Sequence, residues 1–155
     1  MTQPATGAAA DAARATLGIL GGTGDQGRGL ARRFALAGNP VIIGSRSQDR
    51  AHAAAYEIGL GVRGLANRDA SRQAEVVIAA VPYEGHGELL AALAPELAGK
   101  IVVDCVNPLG FDARGAYPLP VPEGSAAEQA AALLPGSRWW RPFTTCPRSC
   151  CSIPR

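Results

Sequence analysis

Residues 17–27 read Leu17-Gly18-Ile19-Leu20-Gly21-Gly22-Thr23-Gly24-Asp25-Gln26-Gly27, a short apolar run that passes directly into a glycine-rich turn. The length of the run and its flanking glycines favour a buried β-strand over a helix. Beyond the turn, apolar residues at helical spacing predict a helix over residues 28–37, which Gly38-Asn39 ends. This part of the chain therefore predicts a strand, a glycine turn and a helix in succession.

The same alternation continues along the chain. Short apolar runs predict further strands at residues 40–44, 62–66, 75–81 and 101–105, and residues 135–138 should lead into a sixth. Helices are expected at residues 47–58, 84 or 85 to 97, and 125–134, and a short helix or turn at residues 69–74. Residues 107–122, rich in proline and glycine, predict a loop. Continuous apolar strands that alternate with helices are typical of an α/β doubly wound parallel sheet, here a Rossmann-type domain over residues 17–138.

Composition excludes several classes of protein. The chain has 155 residues, 47% hydrophobic and 18% charged, which fits one folded domain and not a disordered chain. No apolar run reaches the ~18 residues of a membrane span. Residues 1–16 lack the basic start and apolar middle of a signal peptide, so we expect a flexible leader on a cytoplasmic protein. Residues 1–138 carry a net charge of −1, which does not favour nucleic acid as a partner.

The glycine turn matches the pattern G-x-G-x-x-G through Gly22, Gly24 and Gly27. Its position between a strand and a helix is the context in which this pattern indicates dinucleotide binding. The first glycine allows the tight turn, the second lets the backbone approach a pyrophosphate, and the third lets the helix pack close to the strand. The free N–H groups at the helix start would hold the phosphates, so the candidate cofactor-binding residues here are Gly22, Thr23, Gly24, Asp25, Gln26 and Gly27.

The end of the second strand indicates which dinucleotide binds. An NAD site usually places Asp or Glu there, but this sequence has Ser45-Arg46, with Arg50 one helical turn later and no carboxylate before Asp49. An arginine can make a two-pronged contact to a phosphate, and a serine can add a hydrogen bond. The pattern therefore favours the 2′-phosphate of NADP; the alternative is that both arginines are solvated charges on a helix surface.

The fourth strand ends at Ala80-Val81-Pro82, where a dinucleotide fold borders the ribose and nicotinamide. Pro82 shapes this crevice or merely stops the strand. Asn107, after the fifth strand, either borders the same crevice from another side or belongs only to a turn. We expect His86 to be an ordinary polar helix residue and Cys105 a small buried hydrophobe.

No metal-ligand spacing, nucleophile–base pair or pair of carboxylates is recognisable in the sequence, so we assign no catalytic residue and no metal. Hydride transfer needs none of these, because the cofactors carry the chemistry.

Several of these motifs together resemble the NADPH-dependent F420 reductase family. The resemblance covers residues 17–138 and is carried by residues 18–27, Val41-Ile42-Ile43-Gly44-Ser45-Arg46, Val81-Pro82-Tyr83 and residues 103–109. It implies hydride transfer between NADP and the deazaflavin coenzyme F420. It also implies a phosphate loop at Thr23, Gly24 and Gln26, and a 2′-phosphate site at Ser45, Arg46 and Arg50. Pyrroline-carboxylate reductases and membrane ferric reductases share the fold, which leaves two alternatives: an NADP-linked reductase of another small substrate, or an inactive NADP-binding module.

The sequence departs from this family after Arg138. Residues 139–155 hold both tryptophans, three of the four cysteines and three arginines without an acid. If the base before the Trp139 codon is G, a reading frame shifted by one base turns the two tryptophan codons into two valine codons, which suits a sixth strand of the family. We therefore expect a one-base shift near codon 138, an irregular tail with free cysteines at residues 139–155, and at most a stub of a sixth strand; the alternative is a genuine variant of the tail. The family elements that support homodimers would be missing, so dimerisation of this chain is left open.

Overall fold

The computed structural model describes residues 14–140. The strands are β1 (Leu17–Leu20), β2 (Val41–Ser45), β3 (Arg63–Ala66), β4 (Val76–Ala79), β5 (Ile101–Asp104), β6 (Leu109–Asp112), β7 (Gly115–Pro118) and β8 (Arg138–Trp140). The helices are α1 (Asp25–Leu36), α2 (Gln48–Ile58), α3 (Asn67–Gln73), α4 (His86–Ala92), α5 (Ala94–Leu97) and α6 (Ala126–Leu133). Most of the expected leader and nearly all of the expected tail lie outside the described residues.

The main sheet has the strand order β3-β2-β1-β4-β5-β8, and all of its strands run parallel. The chain therefore runs outward from the central β1 first to one edge and then to the other. This is the order of a doubly wound dinucleotide-binding fold, so the expected fold class is confirmed. In such a sheet the order reverses beside the first strand, and a crevice opens there at the carboxyl ends of the strands.

Apolar side chains form two cores, one on each face of the sheet. Successive residues of a strand point to opposite faces, so Ile19 and Leu20 of β1 belong to different clusters, as do Val77 and Ile78 of β4. The cluster around Ile19 packs against α1 and α2, and the cluster around Leu20 packs against α4, α5 and α6. Within residues 14–140, no helix combines the length and apolar character needed to cross a membrane.

Local sequence explains where several helices begin. The Ser47 hydroxyl accepts a hydrogen bond from the N–H of Arg50 at the start of α2, and the Ser125 hydroxyl accepts one from Glu128 at the start of α6. Both are N-caps that satisfy an otherwise unpaired N–H group in the first helical turn.

A sixth strand joins the main sheet at its edge, and it is described as far as Trp140. In β8, residues 138–140 pair in parallel with residues 101–103 of β5. The described residues end with this strand, so the expectation of only a stub stays a prediction. The remaining residues of the expected irregular tail and of the shifted reading frame lie outside the described part of the chain, so that hypothesis stays a prediction.

The expectation of a loop over residues 107–122 is wrong for its central part. Strands β6 and β7 form an antiparallel hairpin with Asp112 opposite Gly115. The two-residue connection is closed by the Asp112 carboxylate, whose Oδ1 accepts a hydrogen bond of 2.8 Å from the N–H of Arg114. The two turn residues, Ala113 and Arg114, are not the Asn-Gly or Asp-Gly pair that signals a hairpin in sequence, so the proline- and glycine-rich composition of the segment favoured a loop.

The single helix expected up to residue 97 is divided in the structure. Helix α4 ends at Ala92 and α5 begins at Ala94, with Leu93 between them at φ −103° and ψ 3°. The break follows from Pro95, which lacks the N–H that would bond to the carbonyl of Ala91 and whose ring would clash with that carbonyl. The division still leaves Leu90, Leu93 and Leu97 in one core cluster.

Candidate functional site

A cavity of about 340 Å³ opens at the carboxyl ends of β1, β2 and β4, where the strand order reverses. Eight of the residues that the sequence assigns to cofactor binding line it: Thr23, Gly24, Ser45, Arg46, Arg50, Ala80, Val81 and Pro82. These residues follow three separate strands, β1, β2 and β4, and the fold brings them together around one cavity. A cavity of this size at this position is typical of a cofactor site in a doubly wound fold.

The other predicted site residues do not line the cavity. Gly22 and Gly27 are buried behind the loop, Asp25 and Gln26 lie exposed in the first turn of α1, and Asn107 is exposed in front of the hairpin. The carbonyl of Asn107 accepts a hydrogen bond of 2.9 Å from the N–H of Leu109, as expected for the turn interpretation of this residue. The assignment of these five residues to cofactor binding stays a prediction.

The glycines of the loop differ in what surrounds them. A Cβ on Gly22 would stand 2.7 Å from Cγ2 of Ile43, and one on Gly27 would stand 2.6 Å from the carbonyl oxygen of Gly21. Both positions must therefore be glycine, because any side chain would prevent the loop, α1 and β2 from packing closely. A Cβ on Gly24 would meet only the carbonyl oxygen of Gly21, at 3.6 Å. Gly24 thus leaves open space on the cavity side of the loop.

An arginine of α1 fixes the loop from behind. The Nε of Arg28 donates a hydrogen bond of 3.1 Å to the carbonyl oxygen of Thr23, and its guanidinium also pairs with Glu57 of α2. The carbonyl of Thr23 is therefore engaged by a cation, which reduces the negative potential that a bound phosphate would meet. The first-turn N–H groups of the twelve-residue α1 have no partner within the helix and are available to an anion.

The end of β2 carries a hydroxyl and two cations. Ser45 is buried, and its Oγ accepts a hydrogen bond of 3.3 Å from the N–H of Ser47, which leaves its proton free to be donated. Arg46 and Arg50 are exposed, and neither has an ion-pair partner among residues 14–140. The wall of the cavity at this strand end can therefore accept a dianion such as a phosphate monoester.

After β4, residues 81–85 form one rim of the cavity, which we call the lip. The next residue, His86, holds the lip in place, a role that the sequence analysis did not predict. His86 is fully buried instead of being an ordinary polar helix residue, and its Nε2 lies 3.1 Å from Oδ2 of the equally buried Asp104. The other carboxylate oxygen of Asp104 accepts a hydrogen bond of 2.9 Å from the N–H of Val106. A buried histidine can be told from an exposed one only when its acidic partner is found, and Asp104 lies 18 residues further on, in another element.

Cys105 follows Asp104 and is buried, as the sequence predicts. Burial, reinforced by the negative charge of Asp104, raises the pKa of the Cys105 thiol above its ordinary value. A buried thiol with a raised pKa is a poor nucleophile. The side chain therefore acts as part of the core and offers no covalent chemistry to the cavity.

Five lining residues were missed by the sequence analysis: Gly21, Asn67, Glu84, Gly85 and Leu89. Asn67 directly follows β3, and a polar residue after a strand end at the carboxyl edge is a signal that could have been used. Glu84 and Gly85 continue the lip after Pro82, so the β4 motif extends further than the sequence pattern indicated. Leu89 gives no sequence signal because an apolar residue inside a helix reads as core.

Taken together, the doubly wound sheet, the glycine loop and the cationic end of β2 define a Rossmann-type fold of the class that binds dinucleotides. The chain belongs to the family described as NADP oxidoreductase, coenzyme F420-dependent, whose sequence model matches residues 16–108. This confirms the resemblance carried by the glycine loop and the Gly-Ser-Arg motif.

Individual relatives are consistent with that assignment. The chain is 39% identical over 127 residues to the F420-dependent NADP reductase of Methanothermobacter marburgensis, covering 76% of this chain and 57% of the relative. It is 41% identical over 134 residues to the enzyme of the same name from Methanocaldococcus jannaschii, covering 79% and 59%. A crystal structure from Arthrobacter sp. FB24, provisionally named an F420-dependent NADP reductase, superposes with a TM-score of 0.72 at 31% identity, covering 82% and 61%. The chain thus spans less than two thirds of each of these relatives.

Proposed function

We propose that residues 17–138 form an NADP(H)-binding unit that serves hydride transfer between NADP(H) and the deazaflavin coenzyme F420. The observation that carries the proposal is the cavity in which the glycine loop, the cationic end of β2 and the end of β4 meet. The names of the relatives supply the deazaflavin as second substrate. The spatial arrangement of the residues supports the first part of the proposal on its own.

The residues of the cavity fit a phosphorylated dinucleotide. Gly24 leaves space for a pyrophosphate at the start of α1, and the N–H groups of the first helical turn would hold it. Ser45, Arg46 and Arg50 would hold the 2′-phosphate, because they present one hydroxyl and two cations at the end of β2. No carboxylate takes the place that an NAD-binding site gives to Asp or Glu.

The end of β4 would shape the other half of the site. Val81 and Pro82 line the cavity with apolar groups, and the lip they begin is held by buried His86. Bound NADPH would supply the hydride, and these residues would orient the nicotinamide half and exclude water from it. Hydride transfer between two cofactors needs this half of the site to orient the reacting rings, because the cofactors carry the chemistry.

One experiment tests the proposal in two separable stages. NADP⁺ is first titrated into the protein by calorimetry, and F420 is then mixed with the protein and NADPH while the absorbance of the oxidised deazaflavin is followed. We expect saturable binding of NADP⁺ and a loss of deazaflavin absorbance that depends on protein concentration, with NADH as the control reductant giving a much slower loss. Binding without loss of absorbance would restrict the chain to cofactor binding and support the binding-module alternative. Absence of binding would contradict the proposal as a whole.

A further inference from the structure

One buried carboxylate contacts two segments that follow neighbouring strands at the carboxyl edge of the sheet. The Oδ2 of Asp104 lies 3.1 Å from Nε2 of His86, the residue that follows the lip. Its Oδ1 accepts a hydrogen bond of 2.9 Å from the N–H of Val106, in the turn that follows β5. Asp104 and His86 are completely buried, so water does not compete for these contacts. A single side chain therefore joins the lip to the turn after β5.

The lip has few other attachments. Its start is held by Ala80, whose N–H donates a hydrogen bond of 3.0 Å to the last carbonyl of β1, and by Val81, which packs against an apolar core cluster. Within the described part of the chain, residues 82–85 make no ion pair, and they form hydrogen bonds only in their own turn and with the first turn of α4. The next polar contact with the sheet is that of His86 with Asp104, which therefore sets where the far end of the lip lies.

The lip borders the cavity on the β4 side of β1. A Cβ added to Gly21 would stand 2.7 Å from Cγ1 of Val81, so the lip lies directly beside the glycine loop. The residues that would hold the 2′-phosphate lie on the other side of β1, at the end of β2. The two halves of a dinucleotide bind across the crevice on opposite sides of the first strand, so the lip would face the nicotinamide half.

We propose that His86 and Asp104 are positioning residues for the nicotinamide half of the cofactor. Their contact sets the distance between the lip and the glycine loop, and it couples the lip to the turn after β5. Neither side chain touches the cofactor, because both are completely buried; they act through Val81 and Pro82, which line the cavity. The inference rests on the proposed function and adds to it a connection between the nicotinamide and a segment outside the cavity.

The test compares two ligands by calorimetric titration: NADP⁺ and adenosine 2′,5′-bisphosphate, which carries the 2′-phosphate but no nicotinamide. His86→Leu removes the polar contact and keeps an apolar side chain of similar size. We expect the Kd of NADP⁺ to rise about tenfold, because a displaced lip no longer fits the nicotinamide half, while the Kd of the bisphosphate changes less than about twofold. His86→Gln, whose amide nitrogen can occupy the place of Nε2, should restore most of the affinity for NADP⁺.

Lys100→Met is the matched control for a loss of stability. Lys100 bonds the end of α3 on the opposite side of the fold from the cavity, so its substitution should leave both Kd values unchanged. Equal weakening of the two ligands in His86→Leu, or parent-like binding of NADP⁺ by the folded variant, would overturn the inference and leave the proposed function standing. A parent that binds neither ligand would instead contradict the proposed function.

A measurement on the parent protein decides the matter if His86→Leu does not fold. Hydrogen exchange followed by mass spectrometry reports the protection of the N–H groups in the lip and of Val106, whose N–H is bonded to Asp104. With each ligand at saturation, we expect NADP⁺ to slow exchange in residues 81–86 and 104–107, and the bisphosphate to slow it only in the glycine loop and at the end of β2. Equal protection of residues 104–107 by the two ligands, or protection by neither, would overturn the coupling.

Discussion

Nε2 of His86 lies 3.1 Å from Oδ2 of Asp104, and both side chains are completely buried. The two residues belong to different elements, since His86 begins α4 and Asp104 ends β5. The contact therefore joins the helix that follows the lip of the cavity to the strand beside β4. Tyr83, within the lip, also lies near the histidine, with 6.5 Å between the ring centroids. The pair is a structural anchor for one wall of the candidate site.

Breaking this anchor should destabilise the fold strongly. Removing one member of a buried ionisable pair leaves the other without its partner, which typically lowers the free energy of unfolding by about 3 kcal/mol or more. We expect that loss in His86→Ala and in Asp104→Ala, and a double mutant much less destabilised than the sum of the two. Urea unfolding of the four proteins measures the coupling. The control is Arg114→Ala in the exposed Asp112–Arg114 pair, which keeps the backbone hydrogen bond to Asp112 and where we expect less than about 1 kcal/mol. Additive effects of the two buried substitutions would contradict the anchor.

Lys100 holds the C-terminal end of α3 in place, on the opposite side of the fold from the cavity. Its Nζ donates hydrogen bonds of 2.6, 2.7 and 2.6 Å to the carbonyls of Ser71, Arg72 and Ala74, at the C-terminal end of α3. Lys100→Met keeps the apolar stem but leaves these carbonyls without their donor, so the free energy of unfolding should fall by about 2 kcal/mol. Arg63→Met, an exposed basic residue bonded to Gln73 at the same helix end, should change it by less than about 0.5 kcal/mol. Equal effects in urea unfolding would refute this capping role.

The thiol of Cys105 should resist modification in the folded protein. Its burial and the negative charge of Asp104 raise its pKa, so it remains protonated where an ordinary thiol with a pKa near 9.0 ionises. Residue-resolved mass spectrometry after a pulse of iodoacetamide at pH 8 should show labelling at least about tenfold slower than in urea. Because the unfolded chain releases this proton at lower pH, stability should fall as pH rises above about 9, and Cys105→Ala should lessen that fall. Labelling at the same rate in the folded and unfolded protein would contradict the expectation.

The glycine loop can be tested by filling its open space. Gly24→Val would place a branched side chain on the cavity side of the loop, where a Cβ added to Gly24 would have only one atom within 4 Å. We expect NADP⁺ binding to weaken by about a hundredfold or more, while far-ultraviolet circular dichroism remains that of the parent. Gly29→Val is the matched control: it lies on the exposed face of α1 with nothing within 4 Å of its Cβ position, and it should bind NADP⁺ like the parent. Parent-like titration of Gly24→Val would remove the loop from the site.

Much of the fold could be predicted because its signals are local. Strands β1, β2, β4 and β5 are continuous apolar runs, and Ser47 and Ser125 mark helix starts by their own side-chain bonds. The hairpin of β6 and β7 was missed because its exposed residues give no apolar pattern and its turn lies among prolines.

The site was predictable where one motif served one strand end, as in the glycine loop and in Ser45-Arg46. It was not predictable where two distant segments had to meet. His86 needs Asp104, and the space for Asn67 depends on Gly44 in the neighbouring strand. Pairings of this kind depend on the register of strands and the position of a helix, neither of which a single motif contains.

The central claim is that the cavity binds NADP(H) through the cations at the end of β2. The most direct measurement is a calorimetric titration of NADP⁺ and NAD⁺ into the parent protein and into Arg46→Ala. The account predicts that the parent binds NADP⁺ at least about tenfold more tightly than NAD⁺, a difference of about 1.4 kcal/mol, and that Arg46→Ala weakens NADP⁺ while leaving NAD⁺ nearly unchanged. Equal affinities of the parent for the two cofactors would contradict it.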